Sequence, residues 1–167
     1  MIEQQLQHPT PPLWITIGDN SPEQYYDAVI SIRARPSQCQ CCRRSCKQQK
    51  ALWRNEMSHR AARVLCLYFE KNNFSTASFV EKLIAFTKTL PLYARVLFDC
   101  RKSLSRCTAA AIILLREAGM DQEAAFKEVQ RAQPTLTPNF SIVRLYRILK
   151  EADSNGASVL ASEEWSE

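Results

Sequence analysis

The stretch from Arg95 to Leu115 limits the possible fold more than any other part of this 167-residue chain. It reads Arg95-Val96-Leu97-Phe98-Asp99-Cys100-Arg101-Lys102-Ser103-Leu104-Ser105-Arg106-Cys107-Thr108, then Ala109-Ala110-Ala111-Ile112-Ile113-Leu114-Leu115. A short apolar strand runs into a cysteine, an arginine stands six positions on, and a helix opens at once. That helix is apolar on nearly every face, so it must be buried. The layout suits an anion. N–H groups of a short loop and of a first helical turn point at one spot, and a helix N-terminus carries partial positive charge. Arg106 adds a planar fork for two oxygens. A cysteine on the floor of such a cradle has a lowered pKa and becomes a nucleophile. The chemistry suggested is attack of a thiolate on a phosphate ester. The alternative is an ordinary buried cysteine at a strand end.

The flanking sequence supplies the remaining layers. Residues 1–12 are Gln- and Pro-rich and read as a flexible N-terminal arm. Strands are expected at 13–17, 27–32, 63–69 and 95–98 from alternation or short β-rich runs bounded by turn residues. Helices are expected over 51–62, around Phe79 to Phe86, behind the Cys100 loop, after a cap at Asp121, and from Asn139 or Ser141 to about 150. Gly119 suits a helix stop. Residues 36–50 form a basic, Cys-rich insertion, and the acidic tail 151–167 reads as disordered. Alternating strands and helices imply one α/β domain over 13–150, a central and mostly parallel sheet with helices on both faces. Ligands bind beyond the carboxyl ends of such strands, where Cys100 falls.

Scarce residue types exclude several classes. Two histidines, His8 and His59, argue against His-dependent triads and paired-His metal sites. Three glycines leave no Gly-rich nucleotide loop. No cofactor is called for. No apolar run is long enough to span a bilayer and the N-terminus lacks a signal-peptide pattern, so a cytoplasmic location with mostly reduced cysteines is expected.

Charge is uneven along the chain. Between Ser31 and Arg63 stand nine basic residues against the single acid Glu56. Segment 33–63 therefore suits phosphorylated protein, nucleic acid or another anionic partner, or is simply a solvated loop. Cys39, Cys41, Cys42 and Cys46 crowd into it as a weak zinc candidate. The adjacent Cys41 and Cys42 can hardly both face one ion, and an exposed, oxidation-prone loop is the alternative. Cys66 reads as mid-strand packing. Trp14, Tyr68, Phe69, Phe86 and Phe98 read as core, while Trp53 and Tyr25-Tyr26 are candidates for the rim of a substrate cleft.

From about Asp27 to Lys150 the chain resembles the Cys-dependent protein phosphatases, nearest the compact dual-specificity and bacterial tyrosine-phosphatase-like members. The family loop, His-Cys-x-x-Gly-x-x-Arg-Ser/Thr, stands here as Asp99-Cys100-Arg101-Lys102-Ser103-Leu104-Ser105-Arg106-Cys107. The segment Ala132-Gln133-Pro134-Thr135-Leu136-Thr137-Pro138-Asn139-Phe140 is similar to the family's Pro-Asn segment before its last helix, and Phe69-Glu70-Lys71 to its Phe-Asp-Asp stretch. The resemblance implies a dual-specificity-phosphatase-like fold acting on a phosphorylated protein or other phosphate ester. Cys100 would be the nucleophile, Arg106 would bind two phosphoryl oxygens, and Glu70 would be the general acid. The loop residues Arg101, Lys102, Ser103, Leu104, Ser105 and Arg106 would bind phosphate.

The loop also departs from that pattern. Asp99 replaces histidine and would oppose the Cys100 thiolate. Ser103 replaces glycine, where a side chain hinders close approach of backbone to phosphate. Cys107 replaces the hydroxyl that assists thiolate departure. The expected function is therefore a phosphatase with weakened turnover, or an impaired relative that binds phosphorylated partners. Cys107 is also a candidate redox partner for Cys100, the other reading being two thiols that never meet.

Overall fold

The computed structural model describes residues 11–18, 24–34, 61–69, 77–100, 104–135 and 137–163. Four strands, β1 (Leu13–Ile17), β2 (Tyr26–Ala34), β3 (Ala61–Phe69) and β4 (Ala94–Asp99), form one sheet in the order β1-β4-β2-β3. Every pairing is parallel. The expected α/β class with a central parallel sheet is the observed one. The four described helices are α1 (Ala77–Thr87), α2 (Leu104–Glu117), α3 (Gln122–Ala132) and α4 (Phe140–Glu163).

Alternation along the strands decides which face each side chain serves. Ala28, Ile30 and Ile32 of β2 and Val96 and Phe98 of β4 enter the main core with residues from all four helices. Val29 and Leu97, one position off in phase, join a smaller buried cluster with Tyr26 and Ala61. Among the described residues the helices pack on the main-core face. Helix α2 is the hub. Nine consecutive residues, Cys107 to Leu115, are buried. An all-round apolar sequence is stable only between other layers, and here the sheet and helices α1, α3 and α4 surround it.

The helix ends follow local chemistry. Gly119, at φ +100°, donates to the Arg116 carbonyl while the Met120 N–H reaches back to Leu115, a Schellman closure of α2. Asp121 caps α3 by accepting from the Ala124 N–H at 2.8 Å. Asn139 caps α4, its Oδ1 accepting from the Ile142 N–H at 3.3 Å. Helix α4 then runs beyond residue 150 to Glu163, where the sequence reading places a disordered tail. An Arg147–Glu151 pair one turn apart supports the helix past residue 150.

Two aromatic expectations change. Trp14 is 48% exposed on edge strand β1, because Leu13 and Ile17 take the inward positions. Tyr25 and Tyr26 stand at the amino end of β2. Tyr26 is buried five positions before Ser31, the partner of Asp99, and at about 3.3 Å per residue that is ~16 Å from the Cys100 edge. They cannot rim a cleft at Cys100. The helix expected over 51–62 and Trp53 fall outside the described residues, except that Ala61 and Ala62 belong to β3.

Candidate functional site

Strand β4 occupies an interior position, between β1 and β2. Its carboxyl end delivers Asp99 and then Cys100 to the edge of the sheet where the chain turns into α2. Cys100 is buried and forms a disulfide with Cys107, their Cα atoms 6.5 Å apart, within the separation such bridges span. This contact holds the Cys100 sulfur against the first turn of α2, beside the positive end of the helix dipole. Arg106 precedes Cys107 in the same turn.

The Arg106 guanidinium lies over the Phe69 ring, 3.4 Å from its centroid. Phe69 ends β3, so the cation reaches along the carboxyl edge of the sheet. Burial pushes its pKa below the ordinary value, and from so high a start it stays a cation at neutral pH. A guanidinium over a ring face gains a cation–π attraction, and its planar fork is a shape an ammonium does not reproduce.

Asp99 is placed differently from the expectation that it opposes the thiolate. Successive strand residues point to opposite faces. Cys100 packs into the helix-side core, whereas Asp99 shares its row with Ser31 and Arg33 of β2. Arg33 Nη2 donates to Asp99 Oδ2 at 2.7 Å, Arg33 Nε donates to Ser31 Oγ at 3.0 Å, and the Ser31 hydroxyl donates to Asp99 at 3.4 Å. The carboxylate is thus turned toward a cation and away from the sulfur. Ser31 and Arg33 stand at the site without a local sequence signal that marks them. Their i, i+2 spacing puts them on one strand face, but nothing local shows that β2 lies beside β4.

The loop is braced from the Pro-Asn segment. Asn139 N–H donates to the Ser105 carbonyl at 2.8 Å, and the same carbonyl accepts from the Thr108 hydroxyl at 2.9 Å. Pro138 before it is buried. On the other side, Gly18 N–H donates to the Phe98 carbonyl at 3.1 Å, and the Gln133 side-chain amide holds the Ile17 carbonyl at 3.0 Å. Gly18 has φ +114°, which suits a glycine where β1 must turn from the edge. The strand end and the helix start around Cys100 are therefore both tied to neighbours.

Of the residues expected to form the site, Cys100, Ser105, Arg106 and Cys107 are brought together, and Leu104 opens α2 partly exposed. Arg101, Lys102, Ser103, Glu70 and the cluster Cys39, Cys41, Cys42 and Cys46 lie outside the described residues, as does most of segment 33–63. Among the described residues no group of three or more His, Cys, Asp or Glu is disposed to hold a metal ion, and no helix is long and apolar enough to cross a membrane.

No family model matches the chain, and no curated protein matches it. Among solved structures, the crystal structure of Tk-PTP in the active form is similar to it, with 18% sequence identity and a TM-score of 0.46, over 75% of this chain and 79% of that one.

Proposed function

We propose that the protein is a phosphatase-like, Cys-dependent phosphomonoesterase of the compact dual-specificity type, whose nucleophile is Cys100 once its bridge to Cys107 is reduced. One observation carries this reading. The Cys100 sulfur is held at the amino-terminal turn of the buried helix α2, in the same turn as Arg106. The helix dipole favours a thiolate there, and the same end of the helix favours a dianionic ester.

In the reduced protein the Cys100 thiolate attacks phosphorus. An S–P bond forms as the ester P–O bond breaks, and the leaving oxygen takes a proton from a carboxyl. Glu70, next in sequence after the end of β3, is the carboxyl assigned to that role. Water then attacks the cysteinyl-phosphate, giving up its proton to the same carboxylate, and inorganic phosphate and the thiolate are released. Arg106 with the loop amides holds the equatorial oxygens through both steps. Turnover is slow in this reading, because Ser103 and Cys107 replace the glycine and hydroxyl of the resembling family.

A second reading is a module that binds phosphorylated partners without turnover. The observation favouring it is the bridge itself, which leaves Cys100 with no thiolate. One experiment separates the two. Protein reduced with a dithiol is given a chromogenic aryl phosphate, and tungstate affinity is measured in parallel. Slow release of the phenol that disappears in Cys100→Ser supports the enzyme. Tungstate binding with no release supports the binding module. Absence of both removes the site.

A further inference from the structure

Helices α3 and α4 flank α2 and leave a cleft of about 810 Å³ on the helical face of the molecule. Its floor is apolar, with Ile112 of α2 and Val143 of α4. Its walls are cationic. Arg116, Arg144, Arg147 and Lys150 line it, with Glu151 the acid among the described lining residues and Glu117 paired to Lys150. Phe140, 62% exposed, lies at the end nearest the candidate site and directly follows Asn139, whose N–H is bonded to the Ser105 carbonyl. From Phe140 to Ser154 the α4 wall extends 14 residues, ~21 Å at 1.5 Å per residue. The cleft therefore starts beside the Cys100–Arg106 loop and leads away from it along α4.

We propose that this cleft is a docking groove for an acidic protein segment with an apolar anchor, which in a substrate would flank the phosphorylated residue held at Cys100. The clause about the phosphorylated residue rests on the phosphatase reading; the groove itself does not. Charge and shape both point to this occupant. Arg116 and Arg144 carry the surplus positive charge over the apolar floor and offer an acidic peptide ion pairs at the rim and desolvation beneath. The other two cations are paired with the protein's own acids. Lys150 Nζ lies 3.2 Å from Glu117, and Arg147 Nε lies 3.5 Å from Glu151. Arg144 is exposed on α4 one turn before Ile148 and beside Val143. The exposed Phe140 ring offers an apolar contact where the groove meets the loop. A ligand that was only an anion would have no use for this ring or for the apolar floor.

The test uses the full chain and a labelled, unphosphorylated Glu-rich peptide carrying one Phe, read by fluorescence anisotropy. The wild-type protein is expected to bind it, more weakly as salt rises. The double variant Arg144→Glu/Arg147→Glu, at two exposed positions, is expected to bind roughly tenfold or more weakly. Cys100→Ser is expected to bind as wild type does. Phe140→Ala tests the apolar end and is also expected to weaken binding. Equal affinity in the charge-reversed variant, absence of wild-type binding, or tighter binding of an oligonucleotide of equal charge each overturns the proposal. Aryl phosphate turnover is measured on the same samples. Peptide binding without turnover keeps the groove and removes the phosphatase reading. Turnover unchanged in the double variant, together with loss of peptide binding, places the groove outside the catalytic machinery.

Discussion

Arg33 on β2 closes onto Asp99 on β4 at 2.7 Å, one row behind the cysteine and on the opposite face of the sheet. The pair is partly buried, with side-chain exposures of 26% and 17%, so it is screened less than a surface ion pair. Arg33→Ala is expected to cost about 1–2 kcal/mol in urea unfolding. Asp99→Asn combined with it should cost less than the sum of the two single changes, which is the signature of a direct interaction. Strict additivity would mean that the two side chains do not communicate.

The Cys100–Cys107 bridge predicts a dependence on reductant. Activity toward an aryl phosphate is expected to be absent in oxidised wild-type protein and to appear on addition of a dithiol, as two thiols replace one bridge. Cys107→Ser should be active without reductant, and after peroxide it should lose activity irreversibly where wild type recovers. Thiol trapping with mass mapping on the same samples reads the bridge directly. Wild-type activity indifferent to reductant would contradict the assignment.

Phe69 is predicted to control how well Arg106 holds an oxyanion. Phe69→Leu keeps an apolar side chain but removes the ring face 3.4 Å from the guanidinium. A cation–π contact contributes about 0.5–2 kcal/mol, so tungstate affinity of the reduced protein is expected to fall roughly 2–30-fold. Arg106→Lys is expected to lose more, since an ammonium offers neither the fork nor the stack. Calorimetric titration provides the measurement.

Asn139 links two jobs at one position. Its side chain caps α4, and its backbone N–H braces Ser105. Asn139→Ala removes the cap, at a cost of about 0.5–2 kcal/mol. Frayed α4 should also loosen the backbone brace, so tungstate affinity is expected to drop along with stability. Asn139→Asp keeps an oxygen acceptor at the cap and is expected to restore most of both.

Tyr146 provides a pH prediction remote from the cysteines. Burial first, and then its 2.7 Å bond to Glu117, push its phenol up to about 12. The unfolded phenol titrates near 10, so the folded state holds the proton more tightly. The stabilisation is fully present below about pH 10 and is lost as pH climbs through the folded value. Two units correspond to about 2–3 kcal/mol. Wild type should lose about that much more stability than Tyr146→Phe between pH 9 and the folded value, measured by denaturant unfolding at each pH. Parallel curves would remove the assignment.

The placement of α2 was legible in the chain from end to end. Consecutive apolar residues from Ala109 to Leu115 can be stable only inside, Gly119 supplies the positive φ that ends the helix, and Asp121 caps the next one. The strands preceding it were legible from alternation, with ends displaced by a residue or two. Trp14 faces outward although an aromatic in that run suggests core, because an aromatic on a strand can face either side and only the partner layer decides which. Helix α4 outruns its expected end, because local charge is a poor guide to a helix held along its first three turns by packing, through Ile142 and Tyr146.

Sequence alone determined that a cysteine and an arginine bracket a strand-to-helix turn, because that relationship is local and follows from propensity and spacing. Only the tertiary structure decided that Arg33 neutralises Asp99, that Phe69 carries Arg106, and that α3 and α4 leave a cationic cleft over α2. Each of these joins residues far apart in the chain, and strand order and helix packing bring them together through burial that no local window encodes.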